Sequence, residues 1–147
     1  MIRKKQFSKK DLLNSGIGKL FENLDGKLPM PPMLMMDKII NISDEGGAYG
    51  KGEIEAELNI DKSLWFFECH FKNDPVMPGC LGLDGFWQLL GFFLTWTGGT
   101  GKGRALGVKD LKFKGQVRPY HKKITYHIDI KKFITRPTHM VWGDAVL

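Results

Sequence analysis

Between Gly79 and Thr97 the chain reads as one helix that is apolar almost all the way round. Such a helix has to be enclosed on every side. Pro78 suits its first turn, and Gly98-Gly99-Thr100-Gly101 ends it and reverses the chain. Leu83, Phe86, Leu89, Leu90, Phe93 and Leu94 cover most of its surface. Asp84, Gln88 and Thr95 form the one polar stripe, with Gly91 between them. The glycines, Asp84 and Gln88 would all be costly in lipid, which argues against a membrane span. The helix is therefore expected in a protein core, wrapped by a sheet that the rest of the chain supplies.

The flanking segments supply strands. Ser8 and Asp11 resemble a capping box and Asn14-Ser15-Gly16 a stop, so Ser8 to Ser15 is a short helix, within an N-terminal arm of about residues 1–32 that stays outside the core. Pro29-Met30-Pro31-Pro32 is extended. Met35 to Ile42 reads as a strand, and Asp44-Glu45-Gly46-Gly47 as the turn after it. Glu53-Ile54-Glu55-Ala56-Glu57-Leu58 alternates without error, one face buried and the other acidic and wet. Asp61-Lys62-Ser63 caps a turn delivering Trp65, Phe66 and Phe67 to the interior. Leu106 and Val108 share one phase and Leu111 and Phe113 the other, which predicts a long strand with a bulge near Lys109-Asp110. Ile124 to Ile130 alternates as a further strand, and another runs from Met140 to Leu147, where the chain reads as cut. The expectation is a single α+β domain over residues 1–147: two strands, a buried helix, then three or more antiparallel strands.

At 147 residues, 42% hydrophobic and 26% charged, the chain can build one real core. Its net charge of +6 favours acidic partners. No arginine-rich run or aromatic nucleic-acid motif accompanies that charge, so nucleic acid is not the expected partner. Cys69 and Cys80 make neither a disulfide framework nor a zinc spacing, which fits a cytoplasmic protein. The basic start Met1-Ile2-Arg3-Lys4-Lys5 lacks an apolar stretch behind it, so export is not expected.

The chemistry gathers between His70 and Gln88. Pro75 and Pro78 impose a bent, extended loop, with His70 before it and Asp84 after it. Burial would hold an imidazole neutral and a carboxyl protonated, giving a base and an acid at neutral pH. Gly79, at the helix start, leaves an N–H for an oxygen that becomes negative. Two other readings stay open: Cys80 as a nucleophile activated by His70, and both polar groups as purely structural.

Trp65-Phe66-Phe67, Cys69-His70-Phe71, the run Asp74-Pro75-Val76-Met77-Pro78-Gly79-Cys80-Leu81-Gly82-Leu83-Asp84, and Trp87-Gln88 closely resemble the 3-hydroxydecanoyl-acyl-carrier-protein dehydratases of bacterial type II fatty acid synthesis. Pro29, Met33-Leu34-Met35-Met36-Asp37 and Gly101 to Val108 extend the resemblance over nearly the whole chain. Asp84, where the wider hot-dog superfamily typically has glutamate, points to the branch that also isomerises. The resemblance implies a hot-dog fold, an antiparallel sheet wrapped round the central helix, and a homodimer whose sites each take His70 from one chain and Asp84 from the other. His70 would remove the proton beside the thioester carbonyl and Asp84 would assist departure of the 3-hydroxyl. The Gly79 N–H would hold the thioester oxygen and the Val76 carbonyl would orient His70. Cys80 and Gln88 join Val76 and Gly79 among the residues expected at the substrate. The same histidine would shift the trans-2 double bond to cis-3. No metal or redox cofactor is implied, because the acyl group travels on the phosphopantetheine of an acidic acyl carrier protein, for which Lys131, Lys132 and Arg136 are candidate contacts. Members usually continue for about one more strand than this chain. A hot-dog thioesterase and a non-catalytic carrier-binding module are the alternatives, separated by whether the product is enoyl thioester, free acid or nothing.

Overall fold

The alternation in Glu53–Asn59 places Ile54, Ala56 and Leu58 in the core, and this strand sits inside a four-stranded sheet. The computed structural model describes residues 3–147, so Met1 and Ile2 of the basic start lie outside it. In chain order the elements are α1 (Lys9–Gly16), β1 (Lys38–Ser43), β2 (Glu53–Asn59), α2 (Trp65–Cys69), α3 (Gly79–Trp96), β3 (Lys123–Ile134) and β4 (Met140–Val146). The sheet order is β1-β2-β3-β4, and all three pairings are antiparallel. The β2–β3 register runs from Glu53 opposite Asp129 to Asn59 opposite Lys123. It aligns Ile54 with Ile128 and Ala56 with Tyr126, all fully buried. Leu89 and Phe93 of α3 are fully buried too, in the same core. The α+β class and the central helix are as the sequence predicts.

Three expectations change. The N-terminal segment is not a peripheral arm: Ser8 and Asp11 form the capping box, but Leu12 on α1 is fully buried and Phe7, ahead of the helix, almost so. Phe7 exchanges backbone hydrogen bonds with Ile39, and Ile42 donates to Lys5. This covers the outer edge of β1, whose amides would otherwise lack partners. Phe7, Phe21 and Phe92 meet edge to face behind it.

The acidic face of β2 is not uniformly wet either. Glu57 is 8% exposed, gripped by Lys123 at 2.7 Å and Lys38 at 2.9 Å. The hydrogen bond from Lys123, then that from Lys38, holds its carboxyl below the ordinary 4.5.

Finally, residues 102–119 form no strand. Leu106 (78% exposed), Val108, Leu111 and Phe113 lie open. The alternation is present, but within one chain no neighbouring strand receives it. The helix shows the same shortage: Leu83, Phe86, Leu90 and Leu94 are only half-buried, because four strands cover one side of α3 and leave the other open. Among the described residues no helix is long and apolar enough to cross a membrane.

Candidate active site

His70 starts from a packed base. Ser63 donates its N–H to Asp61, the chain turns into α2, and Phe66 and Phe67 enter the core. The His70 N–H ends that helix on the Phe66 carbonyl at 2.9 Å. The loop beyond is tied at several points. Phe71 and Asp74 exchange backbone hydrogen bonds, and the Val76 N–H returns to the His70 carbonyl at 2.8 Å. Arg118 donates to Asp74 Oδ1 (2.5 Å) and to the Pro75 carbonyl (3.1 Å), while Met77 donates to the Val117 carbonyl. These ties place His70 Nδ1 2.7 Å from the Val76 carbonyl oxygen. A carbonyl only accepts, so Nδ1 carries the hydrogen of the neutral ring and the lone pair is left on Nε2.

The other half of the chemistry stands on α3. Gln88 is buried and its amide is fully committed. Its nitrogen donates to Asp84 Oδ2 (2.6 Å) and the Met33 carbonyl (2.9 Å), and its oxygen accepts from the Met35 N–H (3.0 Å). Oxygen and nitrogen cannot exchange places without losing both backbone partners, so the Asp84 carboxyl is held in one orientation. Gln88, expected at the substrate, is bonded here to Asp84 and to the backbone of Met33 and Met35. Asp84 itself is half-buried.

At the helix start, the first-turn N–H groups of Gly79 and Cys80 have no intrahelical acceptor. A side chain at Gly79 would fall 2.5 Å from the Phe113 ring, so glycine permits that approach. On the next turn Gly85 lets the Tyr126 ring close in; a Cβ there would lie 2.6 Å from it. Tyr126 is fully buried with no partner for its hydroxyl among the described residues. Burial, and then the charges of Asp37 and Asp84, push that hydroxyl well above its ordinary 10.0.

Within one chain these two halves stay apart: His70 Nδ1 is bonded to Val76, Asp84 to Gln88, and no hydrogen bond or ion pair links His70 to Asp84 among the described residues. Cys80 is exposed and makes no hydrogen bond to His70. Concavities of about 420 and 480 Å3 lie elsewhere, lined by residues other than this pair. Lys131, Lys132 and Arg136 are exposed on β3 and the turn after it. Lys131 pairs with Asp144 at 3.6 Å, and Lys132 lies over the Trp142 ring. The carboxylates of Glu53 and Asp129 and the ring of His127 approach within 4.8 Å of one another, but Asn41 and the Ala48 N–H already bond those carboxylates.

Arg118 escaped the sequence reading, and so did the contacts of Met33 and Met35 with Gln88. Arg118 is distant in sequence from the loop it pins, and the two methionines contribute only backbone groups, which no side-chain pattern announces. Their contacts surround a loop and helix start that were recognisable beforehand, and residues 28–147 match the FabA-like domain. On that match over most of its length, the chain belongs to the FabA-like family of hot-dog dehydratases of fatty acid biosynthesis.

Proposed function

We propose that the protein dehydrates (3R)-3-hydroxyacyl thioesters of about ten carbons, carried on acyl carrier protein, and isomerises the trans-2-enoyl product to cis-3. The observation that carries this reading is the His70 Nδ1 contact with the Val76 carbonyl, which leaves Nε2 as a fixed base. Nε2 takes the proton from C2, and negative charge builds on the thioester oxygen. The Gly79 N–H at the start of α3 donates to that oxygen. Asp84, in its protonated form, gives a proton to the 3-hydroxyl, which leaves as water, and a trans-2 double bond forms. His70 then passes its proton back to Asp84, which resets both groups; in isomerisation the neutral Nε2 takes a proton from C4 and delivers it to C2, a transfer His70 can perform from one position. Cys80 adds a second N–H beside Gly79, and its exposed thiol takes no part.

His70 and Asp84 of one site come from two chains of a homodimer. The open side of α3 and the apolar residues Leu106, Val108, Leu111 and Phe113 support this reading, because a second copy would cover both. Lys131, Lys132 and Arg136 meet the acidic carrier, no metal or redox cofactor takes part, and the protein works in the cytoplasm. Incubation with 3-hydroxydecanoyl-N-acetylcysteamine, followed by product analysis, tests the reaction. Enoyl thioester with both trans-2 and cis-3 isomers is expected, whereas free decanoic-series acid would establish a thioesterase instead.

A further inference from the structure

The two ends of α3 present different groups. The N-terminal end holds Gly79 and Asp84. Near the C-terminal end a concavity of about 420 Å3 is lined by Asp25, Lys27, Lys102, Gly103 and Arg104. Gly26 places it there: a Cβ at Gly26 would fall 1.9 Å from Thr95 Oγ1, on the last turn of the helix. The turn between β3 and β4 lies at the same end, since a Cβ at Gly99 would be 3.3 Å from His139. Three cations face one carboxylate in this concavity. None of the three has a carboxylate within 4.0 Å among the described residues, and Arg104 donates only to the Gly103 carbonyl. An unpaired group of cations in a hollow favours an anion with several acceptor oxygens.

The chain itself links the two ends. From Gly103 in the concavity, the extended segment runs to Phe113, whose ring lies against Gly79. Asp84 and Thr95 are separated by about 16 Å along the helix axis. A pantetheine arm laid along this direction would have its thioester near Asp84 and its phosphate in the basic hollow.

We infer that Lys27, Lys102 and Arg104 form the phosphate subsite for the pantetheine arm of the acyl thioester. The inference rests on the acyl-thioester reading above and adds to it the group that holds the far end of the substrate. The phosphate is common to acyl carrier protein and coenzyme A, and free phosphate shares its chemistry.

Calorimetric titration of the intact protein with phosphopantetheine, pantetheine, coenzyme A and inorganic phosphate tests the subsite without turnover. Phosphopantetheine should bind at least about tenfold tighter than pantetheine, the size of one charge-assisted contact. The Lys102→Ala/Arg104→Ala variant should erase that difference, and Asp25→Asn, which removes the one carboxylate, should increase it. Coenzyme A binding as tightly as phosphopantetheine supports the arm phosphate as the shared determinant. Inorganic phosphate binding equally tightly, or a preference unchanged in the double variant, overturns the inference.

Kinetics separate the two layers of the argument. In the double variant KM should rise about tenfold for the phosphopantetheine thioester and stay constant for the N-acetylcysteamine thioester, which has no phosphate. Equal KM values for the two thioesters in both proteins overturn the subsite and leave the dehydratase standing. Phosphate-dependent binding without any dehydration would do the reverse.

Discussion

Gln88 sets the orientation of Asp84 through one amide that also bonds Met33 and Met35. On the proposed role of Asp84 as the acid, Gln88→Ala should therefore lower kcat by about 10–100-fold through its misplacement, with little change in KM. It should also lower stability by about 1–3 kcal/mol, because buried backbone groups lose their partner; steady-state kinetics and urea unfolding measure the two effects. Glu57 gives a pH prediction. Its folded value lies below 4.5, so its contribution to stability is present above 4.5 and is lost as pH falls through the folded value. Wild type should lose more stability than Glu57→Gln on going from pH 7 to about pH 3. Equal losses in the two proteins would remove the lysine clamp as the cause. At this scale the sequence was partly legible. His70, Gly79 and Asp84 could be singled out as candidates from residue type and spacing, whereas the Val76 carbonyl, a backbone group, entered only through the family resemblance. Arg118 could not, because its role comes from a fold that brings distant segments together.

Helix α3 was legible as an element because apolar residues on every face leave few alternatives, and its observed span of Gly79–Trp96 is within a residue of the expected one. Its close contact with the sheet is Gly85 against Tyr126. Gly85→Ala should destabilise the protein by about 1–3 kcal/mol through overpacking, and Tyr126→Leu should restore part of the loss in a double-mutant cycle measured by urea unfolding. The segment from Leu106 to Phe113 shows the opposite case. Alternation registers that apolar faces must be covered, but not by which strand, so a strand was expected where one chain shows an extended, unpaired segment. The N-terminal helix was placed correctly by its capping box. Its burial could not be read there, because the need it meets, covering the edge of β1, belongs to another element.

The whole molecule is where one chain falls short: α3 is open on one side, large apolar residues are exposed, and the proposed base and acid are not joined. All three follow if two copies associate. Sedimentation should show a dimer, and Leu106→Glu/Phe113→Glu should give a monomer with no dehydratase activity. The most direct test of the shared site is subunit exchange. His70→Ala and Asp84→Asn are each prepared alone, then mixed in equal amounts under conditions that exchange chains, and turnover of 3-hydroxydecanoyl thioester is followed. Both variants alone should be inactive, and the mixture should recover about one quarter of wild-type activity, since half the dimers are mixed and each mixed dimer has one intact site. A mixture as inactive as its components would contradict a site built from two chains.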